Sequence, residues 1–390
     1  MPIYLDYNAT TPVDRRVLDA MLPYLGETFG NASSIHSAGQ HARAAVDAAR
    51  ESVALLIGAR PAEIVFTSGG TEADNLALLG AIQGSSKPRK HVITTSIEHH
   101  AVLNTCQALE QRGIEITYVG VGDDGIVDPG DVRRALKPET VLISVMHANN
   151  ETGAIQPVEA IGQIAADAGV YFHSDAVQSA GKLPIDVDHL HADLLSLSAH
   201  KIYGPKGVGA LYVRSGTPVE PQLFGGHHQR DLRPGTENVP GIVGLGKAAE
   251  LARLDRDEDC ARIAVLRDRL EDSLLSAIGS VRVNGDRQRR VSNTTNLAFA
   301  GAGGEALLIA LDLQGLACST GAACSSGAVE PSHVLTAMGL SSEEARSSLR
   351  FSLGRDTTGE EIDEAMAKIP RAVARIRALS PASKTPVLAR

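Results

Sequence analysis

The stretch Glu63-Ile-Val-Phe-Thr-Ser-Gly-Gly-Thr-Glu72 passes from a β-rich segment, through two adjacent glycines, into a helical pattern. The same alternation continues to about residue 215. Further strand-like segments cover residues 91–95, 114–119, 141–146, 170–173 and 194–197, and helical ones include residues 72–82, 101–112 and 158–168. Apolar strands that alternate with helices are typical of βαβ units. We therefore predict an α/β domain whose sheet is mostly parallel and buried on both faces.

The last third of the sequence predicts a second, smaller α/β unit. Residues 250–277 form a long, charge-rich helical pattern that leads into it. The pattern then predicts a strand at 296–300, a helix at 305–314, a small-residue loop at 319–328, a helix at 331–338, a strand at 349–353 and a helix from 359. We divide the 390 residues into a large domain, 14–257, and a small domain made of 1–13 and 258–390. Each is long enough to bury its own core.

Composition narrows the class of protein. A net charge of −9 argues against a nucleic-acid partner, and no apolar stretch approaches the roughly 20 residues of a membrane span. The start of the sequence shows no secretory signal pattern, and four cysteines without a C-x-x-C pair suit free thiols in a reducing compartment. We expect a cytoplasmic protein without a resident metal.

Two motifs at strand ends suit an anion and a reactive amine. In the glycine turn, Gly70 and Thr71 open a helix whose N-terminal N–H groups can hold a phosphate. The alternative is an ordinary capped turn between strand and helix. The stretch Ser198-Ala-His-Lys201 follows an apolar strand, where a lysine of lowered pKa can form a Schiff base. Ser198 and His200 could assist with the phosphate, and Lys206 is the competing lysine.

Two more motifs add an acid and an imidazole. Asp175, in His173-Ser-Asp-Ala-Val-Gln178, can pair with a protonated pyridine nitrogen, and Gln178 can contact a ring hydroxyl. His99 can stack on a planar ring and exchange protons. Taken singly, each residue could merely cap a helix. Together, at successive strand ends, the four motifs predict a site for pyridoxal 5'-phosphate, and no dinucleotide or P-loop fingerprint competes.

Long motifs along nearly the whole chain resemble the cysteine desulfurases of the NifS/IscS type, which are related to the class V aminotransferases. They include Tyr4-Leu-Asp-Tyr-Asn-Ala-Thr-Thr-Pro12, His147-Ala-Asn-Asn-Glu-Thr-Gly153, Arg233-Pro-Gly-Thr236, Gly321-Ala-Ala-Cys-Ser-Ser-Gly327 and Leu349-Arg-Phe-Ser-Leu-Gly-Arg355. The resemblance implies pyridoxal-phosphate fold type I, with a large, mainly parallel seven-stranded sheet and a smaller α/β domain.

The resemblance also implies a role for each matching residue. Lys201 carries the Schiff base, and Cys324 is the nucleophile that receives sulfur from L-cysteine as a persulfide. Thr236 reaches the phosphate of the neighbouring subunit, which implies a homodimer. The remaining implied site residues are Gly70, Thr71, His99, Asp175, Gln178, Ser198 and His200 for the cofactor, and Asn150 and Arg350 for the substrate carboxylate, with Arg355 as the alternative to Arg350.

The setting of Cys324 supports its role as a sulfur carrier. Glycine, alanine and serine surround it, so its thiol has no apolar anchor, whereas Cys318 ends an apolar run, and Cys106 and Cys260 lie on helical patterns. The resemblance implies a sulfur acceptor such as an iron–sulfur scaffold protein, together with transient iron–sulfur ligation by Cys324. A selenocysteine lyase, a class V aminotransferase and a catalytically silent binding protein are the alternative functions.

Overall fold

The computed structural model describes residues 2–321 and 331–379. Its helices are α1 (Arg15–Leu25), α2 (Ser37–Ile57), α3 (Gly70–Gly84), α4 (His100–Glu110), α5 (Pro129–Arg134), α6 (Val158–Ala168), α7 (Val239–Ala277), α8 (Gly304–Asp312), α9 (His333–Ala337), α10 (Ser342–Arg346) and α11 (Gly359–Leu379). Its strands are β1 (Ile3–Tyr4), β2 (Ile64–Thr67), β3 (His91–Thr95), β4 (Glu115–Val119), β5 (Thr140–Ser144), β6 (Tyr171–Asp175), β7 (Leu194–Ser198), β8 (Gly209–Val213), β9 (Val281–Val283), β10 (Thr294–Phe299), β11 (Leu316–Ala317) and β12 (Ser348–Ser352). Within the two described ranges, no helix combines the length and apolar character needed to cross a membrane.

The large sheet has seven strands in the order β2-β8-β7-β6-β5-β3-β4. Neighbours from β7 to β4 are parallel, which confirms the predicted mainly parallel sheet. All residues of β3, β5 and β7 are buried, since helices cover both faces. The sequence analysis missed β8, which runs antiparallel to β7 and β2. A short link from β7 permits that antiparallel return, whereas a parallel neighbour would need a longer crossover.

The long helix α7 begins at Val239, eleven residues before its predicted start. Its first three turns are apolar and buried against α2, so the charge-rich pattern used for the prediction marks only the later part. The Asn238 side chain caps the helix by accepting a hydrogen bond from the Gly241 N–H. Because α7 runs without interruption through residue 257, the predicted domain boundary there stays a prediction.

The smaller unit contains the antiparallel sheet β12-β10-β9 and the parallel pair β1-β11. Its buried cluster joins Ile3 and Leu5 from the start of the chain to apolar residues between Ile263 and Val373. The N-terminal segment then continues to Asn8, where it meets the edge of the large sheet. This crossing brings residues 6–9 to the carboxyl ends of the parallel strands.

Candidate active site

A cavity of about 420 Å³ opens at the carboxyl ends of the parallel strands. Residues from the large sheet, from the N-terminal segment and from β12 line it. Of the predicted site residues, Thr236 is exposed and lies outside this lining, and Cys324 lies outside the described residues. The structure brings the others together: Gly70, Thr71, His99, Asn150, Asp175, Gln178, Ser198, His200, Lys201 and Arg350.

Strand ends and one helix start explain this convergence. Strands β6 and β7 end at Asp175 and Ser198, and parallel strands present their carboxyl ends at the same edge of the sheet. Helix α3 begins at Gly70, where a Cβ atom would lie 2.9 Å from Cγ2 of Val177. Only glycine therefore allows this close approach. The N–H groups at the start of α3 face the cavity and make an anion site.

Lys201 lies in the short 3₁₀ helix after β7 and lines the cavity. Its Nζ donates hydrogen bonds to the carbonyl oxygens of Asn8 and Ala9, at 2.5 and 2.7 Å. Burial and the nearby Arg350 guanidinium lower the pKa of Lys201 to about 8. The competing residue Lys206 is exposed. Lys201 is thus the described lysine whose amine is both at the cavity and easily deprotonated.

A pair of acids lies at the floor of the cavity. Burial raises the pKa of Asp175 to about 6, although its Oδ1 accepts a hydrogen bond from the Val177 N–H at 2.9 Å. Asp74, on α3, is also buried, and burial together with the Asp175 charge raises its pKa well above the usual range. The sequence analysis missed Asp74. Its spacing of three residues from Thr71 places both on one helix face, which could have revealed it.

His99 caps helix α4, with its Nδ1 accepting a hydrogen bond from the Ala101 N–H at 3.1 Å. Burial and the charge of Lys201 lower the pKa of His99 to about 4, so the imidazole is neutral near pH 7. The capping and ring-stacking interpretations are therefore compatible, because capping occupies only one ring nitrogen. Burial likewise lowers the pKa of His200 to about 4, and its Nδ1 lies 3.1 Å from Oγ1 of Thr10.

The two candidate arginines have different surroundings. Arg350, on β12, donates to Oδ1 of Asp6 at 2.6 Å and to the Asn150 carbonyl at 2.9 Å, while its buried Nε has no hydrogen-bond partner among the described atoms. Arg355 instead pairs with Asp14 and Asp259 and does not line the cavity. The geometry therefore favours Arg350 for a substrate carboxylate.

The Glu151 carboxyl lies close to both Ser332 and Gly321. Its Oε2 accepts a hydrogen bond from Ser332 Oγ at 2.5 Å. At Gly321, a Cβ atom would lie 2.8 Å from the same oxygen, so the backbone packs closely against this carboxyl. Gly321 also lines the cavity. Glu151 therefore lies next to a residue of the site.

The described cysteines are free thiols. Burial raises the pKa of Cys106 to about 12 and also raises that of Cys318, which keeps both thiols protonated. Cys260 is half-buried, and its Sγ donates to the Lys182 carbonyl at 3.4 Å. None of the three lines the cavity, as the sequence analysis expected for Cys318. Among the described residues, no group of His, Cys, Asp or Glu has the arrangement of a metal site.

The cavity fits pyridoxal phosphate by the chemistry of its donors. A helix N-terminus and the side chains of Ser198 and His200 suit the phosphate, and Lys201 suits the aldehyde. Asp175 suits a ring nitrogen that carries a proton. Next to it, the buried Oδ1 of Asp74 has no hydrogen-bond partner among the described atoms. These requirements meet in one cavity.

Residues 3–365 match the family model described as aminotransferase class-V. The chain belongs to this family. A relative from Anaeromyxobacter sp. (strain Fw109-5), named cysteine desulfurase IscS, is 54% identical over 98% of this chain and 95% of its own length. A solved NifS-like protein has a TM-score of 0.91 and 37% identity, covering 96% of this chain and all of its own. A second structure, SspA in complex with cysteine, has a TM-score of 0.80 and 40% identity over 91% and 99% of the two chains.

These similarities confirm the resemblance to the cysteine desulfurases of the NifS/IscS type and the predicted fold type. The class V aminotransferases are a pyridoxal-phosphate-dependent family. Membership therefore accounts for the presence of a lysine, an acid and a helix N-terminus at one edge of the sheet.

Proposed function

We propose that this class V aminotransferase relative is a cysteine desulfurase, which converts L-cysteine to L-alanine and takes up the sulfur as a persulfide on Cys324. One observation carries the proposal: Lys201, Asp175 and Gly321 line the same cavity. Cys324 follows Gly321 by three residues, and three residues reach at most about 11 Å. This short separation from a cavity residue supports Cys324 as the nucleophile.

Pyridoxal phosphate is the proposed cofactor, and when bound it supplies an aldehyde for an amine and a ring that accepts electrons from the substrate Cα. Lys201 would hold the aldehyde, Asp175 would pair with the ring nitrogen, and His99 would stack on the ring. Gln178 would contact the ring hydroxyl. The residues that would hold the phosphate are Gly70, Thr71, Ser198, His200 and Thr236 of the partner subunit.

Lys201 and Arg350 prepare the substrate. A pKa of about 8 leaves a useful fraction of Lys201 neutral near pH 7.5, so its Nζ can take the α-proton of the substrate. Arg350 and Asn150 both line the cavity, and we assign the Arg350 guanidinium to the substrate carboxylate. The Asp6 carboxylate holds the far side of that guanidinium in place.

The sulfur step needs a thiolate on Cys324. Its Sγ attacks the substrate sulfur, so that an S–S bond forms while the substrate C–S bond breaks and its electron pair moves to the substrate carbon. Protonation of that carbon gives alanine. We assign the neutral imidazole of His99, which lines the cavity, to take the thiol proton.

Purified protein mixed with L-cysteine and a thiol reductant should release alanine and sulfide in equal amounts without a 2-oxo acid. Cys324→Ser should reduce alanine release to background while cofactor binding persists. Cys318→Ser is the matched control and should keep its activity. Mass spectrometry after brief exposure to cysteine should find one added sulfur on the peptide that contains Cys324.

Other outcomes would favour the alternative functions. Alanine release that requires a 2-oxo acid would identify an aminotransferase. Release of selenide from selenocysteine, without any sulfide from cysteine, would identify a selenocysteine lyase. An added sulfur on Cys318 would overturn the choice of nucleophile.

We also propose a homodimer in the cytoplasm that passes sulfur to an acceptor such as an iron–sulfur scaffold protein. Thr236 is exposed in the single chain, and large apolar side chains such as Phe29, Ile35 and Phe224 are 81%, 92% and 89% exposed. Burial of such residues favours association. Free thiols in the described cysteines suit a reducing compartment. Sedimentation of a cofactor-loaded, fully active monomer would contradict the dimer.

A further inference from the structure

A second lysine, Lys182, does not line the site cavity but is hydrogen-bonded to a residue that does. Lys182, between β6 and β7, donates from Nζ to Oε1 of Gln178 at 3.0 Å. Gln178 in turn donates from Nε2 to the Asn8 carbonyl at 3.0 Å, and that carbonyl also accepts the hydrogen bond from Lys201. The two lysines are therefore joined through one amide and one carbonyl.

The surroundings of Lys182 supply no counter-ion. It lines a cavity of about 40 Å³ that Lys201 also lines. Among the described residues, no carboxylate lies within ion-pair distance of its Nζ. Burial and the charge of Lys201 lower the pKa of Lys182 to about 7, and the other groups that influence it are Cys260 on α7 and Arg350 on β12. Asp259 and Arg355 complete the charged lining of that cavity.

Lys182 is half-buried, and a lysine withdrawn from water without a counter-ion destabilises a fold. If Lys182 served only packing, an apolar side chain of similar length would serve better. Its one side-chain partner in the described structure is Gln178, whose amide lines the site cavity. The geometry therefore points to a role that depends on Gln178.

We propose that Lys182 is a positioning residue that holds the Gln178 amide with its Nε2 toward the cofactor ring hydroxyl, an inference that rests on the proposed function. An amide has one oxygen, which only accepts, and one nitrogen, which donates two hydrogens. With Oε1 held by Lys182 and one hydrogen of Nε2 held by Asn8, the second hydrogen is left for the site. Below about pH 7, where Lys182 is mostly protonated, its charge also polarises the amide and strengthens that remaining donor.

The expected consequence is spectroscopic. A stronger donor stabilises the deprotonated ring oxygen, and so lowers the pH at which the absorbance of the bound cofactor changes. In Lys182→Met holoenzyme, the midpoint of this absorbance titration should rise by about half a pH unit or more. Lys182→Arg keeps the charge and the donor, and should return the midpoint most of the way to that of the wild type. Lys247→Met, which removes a surface lysine paired with Glu250, is the control and should leave the midpoint unchanged.

A double-variant cycle tests whether Lys182 acts through Gln178. In a Gln178→Ala background, adding Lys182→Met should produce no further shift, because the amide that transmits the effect is missing. A shift of full size in that background would overturn the proposal in favour of a direct charge effect. A Lys182→Met titration that matches the wild type would also overturn it.

Folding and the proposed function can be separated from this inference. Circular dichroism and thermal melting identify a misfolded Lys182→Met, in which case Lys182→Gln, which is polar but neutral, replaces it with the same expected shift. If wild-type protein with added pyridoxal phosphate stays colourless and shows no borohydride-fixed mass, the proposed function fails. If the protein is yellow and only the titration of the Lys182 variants is unchanged, this inference alone fails.

Discussion

Two groups of buried acids in this protein differ in what surrounds them. In the smaller unit, the carboxylate of Glu271 receives both nitrogens of Arg290, at 2.6 and 2.9 Å, and also the hydroxyl of Thr295. Burial alone would raise the pKa of Glu271, but these hydrogen bonds bring it below its usual value. We call this group the paired cluster.

The second group, the site cluster, consists of Asp74, Asp175 and the neighbouring Glu98. Burial raises the pKa of Glu98 to about 8 and that of Asp175 to about 6, and it raises the pKa of Asp74 as well. None of the three has an arginine partner among the described residues. The difference shows that an arginine partner, rather than the degree of burial, decides whether the pKa of a buried acid is lowered or raised.

The largest expected effect concerns Lys201, whose amine lies at the same cavity as Asp74 and Asp175. Lys201→Ala should lower desulfurase activity by about 10³-fold or more, because it removes both the attachment point and the proton acceptor. Borohydride reduction followed by mass spectrometry should detect no cofactor fixed to the protein. A fixed, reducible cofactor in this variant would move the assignment to Lys206.

The paired cluster should respond in stability alone. Glu271→Gln removes the bidentate partner of the buried Arg290 and leaves it only the longer contact with Asp268 at 3.3 Å, so it should lower the free energy of unfolding by about 3 kcal/mol. Urea denaturation measures the loss, while the absorbance of bound cofactor should match that of the wild type. The double variant Glu271→Gln/Arg290→Met should be more stable than Glu271→Gln alone. A changed cofactor spectrum in the single variant would erase the distinction between the clusters.

In the site cluster, replacing an acid by its amide should raise the free energy of unfolding, whereas Glu271→Gln lowers it. The folded pKa of Asp175 lies above that of an unfolded aspartate, so the native state binds the extra proton between about pH 4 and 6. Wild-type stability should therefore fall relative to Asp175→Asn as pH rises through this window, by about 3 kcal/mol in the cofactor-free protein. Thermal melting at pH 4.5 and pH 8 should record about 2 kcal/mol of this difference, because an unfolded aspartate is already mostly ionised at pH 4.5. Activity should nevertheless fall in Asp175→Asn.

Equal stability differences at both pH values would contradict the raised pKa. Because Asp74 shares the repulsion, the measured difference reports on the pair rather than on Asp175 alone. Asp74→Asn should reproduce part of the effect with the same sign.

The smallest expected effect concerns Cys318, a buried residue that is not part of the site. Cys318 is 9% exposed, burial raises the pKa of its thiol, and it does not line the cavity. Cys318→Ser should lower stability by about 1 kcal/mol and leave turnover nearly unchanged. Denaturation and alanine release measure the two quantities. A large loss of turnover would show that a buried group outside the cavity can also carry function.

Local sequence patterns determined much of this protein. The alternation of apolar strands and helices predicted the mainly parallel sheet, because buried parallel strands need apolar residues on both faces. The residues at strand ends, including Asp175 and Lys201, were predictable because parallel topology brings those ends to one edge. The start of α7 and the strand β8 were not, since their apolar residues carry no distinctive period.

Only the tertiary structure decided which groups depend on one another. Asn8 bridges Lys201 and Gln178 across more than 160 residues of sequence, and Asp6 meets Arg350 across 344. No sequence pattern distinguished Lys182 and Asp74 from other polar residues, and only the fold shows that they line cavities. Short-range patterns report local backbone preference and the side that faces the core. The pKa of a buried group depends instead on every charge and dipole that the fold brings near it, wherever these lie in the sequence.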